Sequence, residues 1–145
     1  MTKAQNAKLL AKAVDGTPMP QAPDVEKLSA EQQAELRDLV YNAVNAGRGV
    51  WQSYTLACYE QNRDRDAASE HAGHYAAWQQ NYHELYARLR KLVYEELAPI
   101  DVDQTCEDMM RQVYDAQVAE EEAANEERPS VVSRALSLLR GKRPS

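Results

Sequence analysis

The sequence predicts an all-α fold: an antiparallel three-helix bundle body, made of a long helical hairpin plus a third helix, with short N- and C-terminal helices. Composition is the first reason. The chain holds 22 Ala and 13 Leu against 11 Val, one Ile and no Phe, a stock rich in helix formers and poor in strand formers. Periodicity is the second, because apolar residues recur at steps of three and four over stretches far longer than a strand. The third is spacing: the breaks between those stretches are short, which favours antiparallel neighbours. A length of 145 residues suits one domain with one core.

Residues 1–23 read as a basic N-terminal arm and Pro-rich linker. Lys3, Lys8 and Lys12 charge the first 14 residues without an acid, and Pro18, Pro20 and Pro23 then remove amide donors and restrict their neighbours. The acidic helical body spans 24–127. Ser29 followed by Gln32 has the capping-box pattern, and Leu36, Leu39, Val40, Ala43 and Val44 follow at helical spacing, so the first long helix begins near residue 30. Gly47 and Gly49 are stop signals, yet Leu36, Val40, Ala43, Gly47, Val50, Tyr54 and Cys58 stay on one face, which predicts a helix continuing to about residue 62. His71, Tyr75, Trp78, Tyr82, Leu85, Leu89 and Leu92 alternate steps of four and three, the seam of a second long helix. Asp64 or Asp66 caps its start and Pro99 lies past its end. A third helix starts at Asp101 or Asp103 and buries Cys106, Met109, Met110 and Val113. After Gln117 that stripe gives way to Glu120, Glu121, Glu122, Glu126 and Glu127, so the last turns bury almost nothing.

Antiparallel pairing about a turn near residue 64 sets Val40 opposite Leu89, Gly47 opposite Tyr82, Trp51 opposite Trp78, Tyr54 opposite Tyr75 and Cys58 opposite His71. A second turn near Pro99 sets Met110 opposite Leu89, Tyr114 opposite Leu85, Gln117 opposite Tyr82 and Glu121 opposite Trp78. One half of the bundle is then aliphatic. The other is aromatic, polar-tipped and flanked by carboxylates, and in it the missing side chain of Gly47 makes room for the Tyr82 ring.

The net charge of −6 argues against direct binding of nucleic acid or an anionic membrane, both of which need a cationic footprint. Two cysteines 48 positions apart form neither a disulfide framework nor a CxxC pair, so a reducing, cytoplasmic location is expected. Both lie on helix stripes and are expected to be shielded. Lys12 interrupts the apolar run Leu9–Val14, no small-residue cleavage site follows, and no stretch approaches the roughly 18 apolar residues of a membrane span.

The chemistry-bearing residues are few. Trp51, Tyr54, Tyr75, Trp78 and Tyr82 form the aromatic half, and since buried Tyr and Trp need partners for their polar tips, this half is expected to be wet or to bind. His71 and His74 share a helix with Glu70, with Cys58 across the groove, and could bring two side chains to one ion. Zinc needs three or four convergent ligands, and no Glu-x-x-His or HExxH pattern is present. No metal and no cofactor are therefore expected, with His71, His74 and Cys58 the nearest candidates. No P-loop, GxGxxG or GxSxG occurs either, so no enzymatic activity is expected.

Residues 128–145 form a basic amphipathic docking segment. Val132, Ala135, Leu136 and Leu139 make an apolar stripe, Ser130 caps it, Gly141 ends it, and Arg134, Arg140, Lys142 and Arg143 flank it. So short a helix is marginal in water unless its face is covered by the body, another copy, a partner's groove or a membrane, the last being the poorest match. The expected function is a non-enzymatic protein-binding module, an adaptor or small inhibitor of another protein, and a homo-oligomer is expected. Its contacts are the aromatic patch with Val132, Leu136 and Leu139. Two alternatives compete: an acidic decoy that occupies a nucleic-acid-binding protein through the run from Glu107 to Glu127, and a ligand- or metal-binding bundle.

Overall fold

The structure, a computed structural model, describes residues 10–97 and 100–127. Three long helices make the fold: α1 (Ala30–Glu60), α2 (Arg65–Leu92) and α3 (Val102–Glu127). The all-α hairpin plus third helix expected from the sequence is observed. Residues 10–24 hold no helix, and the C-terminal helix expected over 130–141 lies outside the described residues.

Each helix starts where a side chain can satisfy its free amides. Ser29 Oγ accepts from the Gln32 amide at 3.2 Å while Gln32 Oε1 accepts from the Ser29 amide at 3.0 Å, a complete capping box for α1. Asp64 Oδ1 accepts from the amides of Asp66 and Ala67, and Asp101 Oδ1 accepts from that of Gln104 at 2.9 Å. Between α1 and α2 the amides of Arg63 and Asp64 both donate to the Glu60 carbonyl, closing a tight turn. At its far end α2 passes into a π-helical turn, Val93–Leu97, which keeps both of those residues buried.

α1 runs unbroken through both glycines because each faces α2. A Cβ on Gly47 would lie 3.5 Å from the Tyr82 ring, an ordinary contact, whereas one on Gly49 would lie 2.6 Å from Trp78 Cδ2. The pairing of Gly47 with Tyr82 and of Tyr54 with Tyr75 is as expected, but Trp78 lies over Gly49 and not over Trp51. Trp51 points away and is 71% exposed.

The register of α3 differs more. Asp103 accepts from Tyr86 and Arg90 of α2, and Glu121 pairs with Arg48 of α1, so α3 runs parallel to α1 and leans onto it. Gln117 meets Asn45 and Arg48, which corrects the expected facing of Gln117 to Tyr82 and of Glu121 to Trp78. The contacts of Asp103 with Tyr86 and Arg90 centre the pairing of α2 and α3 near residue 95 and not at Pro99, and this shifts the whole register.

One core results. Leu36, Leu39, Val40, Ala43, Val44 and Ala46 of α1 meet Leu85 and Leu89 of α2, Val93 and Leu97, and Cys106, Met109 and Val113 of α3. Between residues 47 and 84 only Ser53 is buried. The third helix loses its apolar stripe after Val113, so only the lower half of the hairpin is a three-helix bundle. The upper half, near residues 50–80, projects as a two-helix arm, where the sequence pattern alone suggested an aromatic continuation of the core.

Residues 10–23, read from the sequence as arm and Pro-rich linker, run extended along α1 and α3. Pro20 is fully buried, and Val25 and Leu28 join the core. Prolines leave fewer amides needing partners, and helix side chains serve the rest. Ala13 N–H donates to Asp38 Oδ1 at 2.7 Å, Asn42 exchanges two hydrogen bonds with Ala11, and Gln112 exchanges two with Gln21. Gly16, at φ 92°, supplies the one left-handed bend this course requires, where the Thr17 amide returns to the Val14 carbonyl.

Candidate functional site

The five aromatics singled out from the sequence fall into three environments. Trp51, Tyr54 and Tyr75 form a row on one flank of the arm, with ring centroids 6.4 Å and 5.7 Å apart. Trp78 lies on Gly49, 40% exposed. Tyr82 belongs to the body, packed against the core and stacked on Tyr86 at 5.9 Å. Burial raises the pKa of both, with Tyr86 reaching about 12, so both hydroxyls stay protonated at neutral pH.

Other exposed residues complete the arm surface. Leu56 and Tyr59 are exposed on α1, and the Arg63 guanidinium lies over the Tyr59 ring at 4.6 Å while bonding its hydroxyl. A sequence signal for this surface exists, though it is not a periodicity. Residues 49–59 carry no formal charge and residues 67–83 carry only Glu70, within a chain that is 28% charged. Depletion of charge with retention of aromatics is the composition of interface cores.

Two open grooves run between the hairpin helices on the side where α3 packs. The lower, about 550 Å³, is lined by Val44, Gly47, Val50 and Tyr82 with Met110 and Tyr114 of α3. Arg48 stands at its edge, 5.6 Å from the Tyr114 ring, and its bonds to Glu121 hold that carboxylate below the usual range. The upper groove, about 420 Å³, is lined by Tyr54, Ala57, Cys58, Ala68, Ala72 and Tyr75. Sequence reasoning missed the lower groove because its wall depends on the register of α3.

Cys58 is exposed, correcting the expectation of a shielded thiol, because among the described residues no third helix covers the upper groove. Its thiol, beside the Tyr54 hydroxyl, raises the tyrosine's pKa. Cys106 is fully buried, and burial pushes its thiol up to about 11. His71 is half-buried with its ring 6.1 Å from that of exposed His74. Among the described residues no three His, Cys, Asp or Glu side chains converge on a point a metal could occupy. No described helix is long and apolar enough to cross a membrane. Val132, Leu136 and Leu139 lie outside the described residues.

No family model, curated protein or solved structure matches the chain.

Proposed function

We propose that the chain is a cytosolic, non-enzymatic protein-binding module, an adaptor or inhibitor, whose contact surface is the two-helix arm. The observation that carries this reading is the arm itself. It projects beyond the core, buries one side chain, and presents Trp51, Leu56, Tyr59 and Trp78 to solvent on a nearly uncharged surface. Exposed Trp and Tyr on rigid helices are the residue types that dominate protein interfaces when they become desolvated. The cytosolic part of the reading is supported by two free thiols, one of them exposed.

A photo-crosslinking amino acid at position 51, introduced in the native host, identifies the partner, which is then purified for titration. Sedimentation of the chain alone decides whether that partner is a second copy. Trp51→Ala and Tyr59→Ala should each weaken binding about tenfold or more, with unchanged melting because both side chains are exposed. Glu35→Ala, on exposed α1 surface of the body, should bind as wild type. Wild-type affinity in both arm variants would remove the arm from the interface. A steep loss of affinity with salt would favour the acidic decoy, since the exposed Glu120, Glu122 and Glu126 at the end of α3 are charges that salt screens.

A further inference from the structure

The lower of the two cavities lies on the body, where α3 meets the hairpin, and its composition differs from that of the arm surface. Val44, Gly47 and Val50 of α1 line it together with the rings of Tyr82 on α2 and Tyr114 on α3 and the thioether of Met110. Gly47 carries no side chain, and a Cβ there would lie 3.5 Å from the Tyr82 ring, so a longer side chain would take up space that is now open. At about 550 Å³ the cavity falls within the range of small-molecule sites, about 300–1,000 Å³.

Charge at its edge is the second observation. Arg111 of α3 and His83 of α2 also line the cavity, and both are exposed. Among the described residues the one ion pair of Arg111 is with Asp108, at 4.0 Å and open to solvent, which leaves guanidinium donors available. Arg48, the third cation, is taken, because Gln117 and Glu121 hold its guanidinium at 2.7–2.9 Å. No described carboxylate lines the cavity. Glu121 is bound to Arg48, Glu107 lies one turn before Arg111 with its charge acting on Tyr82, and Asp115 is exposed on α3. In a chain of net charge −6, the edge of this cavity reverses the prevailing sign.

We propose that the cavity binds a small aromatic acid, a flat ring system bearing one carboxylate, sulfonate or phosphate group. The ring system lies against Tyr82, Tyr114 and Met110, where aromatic and thioether contacts are favourable. The anion reaches Arg111, whose planar fork of donors matches two oxygens of such a group, and the His83 ring supplies a further N–H. Burial of the rings gives the affinity, and the cationic edge selects acids over neutral compounds of the same shape. None of Trp51, Leu56, Tyr59 and Trp78 lines the cavity, so the site is separate from the surface offered to a protein partner.

The test uses the full chain and two fluorescent probes that share one ring framework, anilinonaphthalene sulfonate and its uncharged counterpart phenylnaphthylamine, each titrated and read by its gain in emission. The sulfonate should saturate at one site per chain and bind about fivefold or more tightly than the neutral probe. Arg111→Glu should abolish that preference by weakening the sulfonate about tenfold, and Tyr114→Ala should weaken both probes. Both side chains are exposed, so unchanged melting is expected and shows that the variants fold. Trp51→Ala should bind both probes as wild type does. Equal affinities for the two probes, unaltered by Arg111→Glu, would overturn the proposal. Loss of the sulfonate in Trp51→Ala but not in Tyr114→Ala would move the binding to the arm and overturn it too, as would the absence of saturable binding. None of these outcomes bears on how Trp51→Ala or Tyr59→Ala binds a protein partner, so the two readings fail separately.

Discussion

Gly47 and Gly49 are two residues apart in the same helix, and the structure gives their alanine variants opposite signs. In a helix interior, alanine is better than glycine by about 1 kcal/mol. At Gly47 the new methyl would sit 3.5 Å from Tyr82, a normal contact, so Gly47→Ala should stabilise by about 0.5–1 kcal/mol. At Gly49 it would sit 2.6, 2.8 and 2.9 Å from three atoms of the Trp78 indole, which lie near the base of the ring and not at a flexible tip. The whole ring must swing outward. Trp78 is 40% exposed, so of an indole surface of about 250 Å² some 150 Å² is buried, worth at most about 4 kcal/mol. Losing half to all of that and regaining about 1 kcal/mol of propensity leaves Gly49→Ala destabilised by about 1–3 kcal/mol. Thermal unfolding followed by far-UV circular dichroism reads the pair directly, at about 3 °C per kcal/mol for a chain of this size. Near-UV signal and Trp fluorescence report the displaced indole. A Gly49→Ala protein that melts at or above wild type would refute the close approach of Trp78, and with it the register of the arm.

Asp38→Ala with Asn42→Ala should expose the amides of Ala11 and Ala13 to hydrogen exchange while the α1 and α2 core stays protected, because those side chains are the amides' partners; unchanged protection would mean that residues 10–23 are held otherwise. Arg48→Met should raise exchange in α3 beyond Gln117 and cost under about 1 kcal/mol, since the Arg48–Glu121 pair is solvent-accessible. Wild type should loosen in the same place on acidification: the contact lowers the Glu121 pKa, so its contribution is complete above 4.5 and is lost as pH falls through the lower folded value. The Cys106 pKa is raised from 9.0 to about 11, so the stability linked to its protonated form is complete below pH 9 and declines as pH rises towards 11. Cys106→Ala should therefore melt at a lower temperature overall yet lose less between pH 8 and pH 10 than wild type does; an equal loss would place the alkaline sensitivity elsewhere.

Local rules in the sequence determined much of this protein. Ser29 with Gln32, Asp64 and Asp101 mark the helix starts because an oxygen at those positions satisfies free amides whatever the rest of the chain does. The face shared by Leu36, Val40, Gly47 and Tyr54 carried α1 through two glycines, and the hairpin register followed because a short turn fixes which residues of two long helices stand opposite each other. Tertiary structure alone decided the rest. Whether Trp51 and Cys58 are covered depends on how far a third helix extends over the hairpin, and that depends on which residues of α2 the start of α3 meets, Asp103 against Tyr86 and Arg90, and on Arg48 pairing with Glu121. The last of these relates residues about 70 positions apart. Helical periodicity specifies the face a side chain occupies, and only the packing of neighbouring elements specifies what, if anything, lies against it.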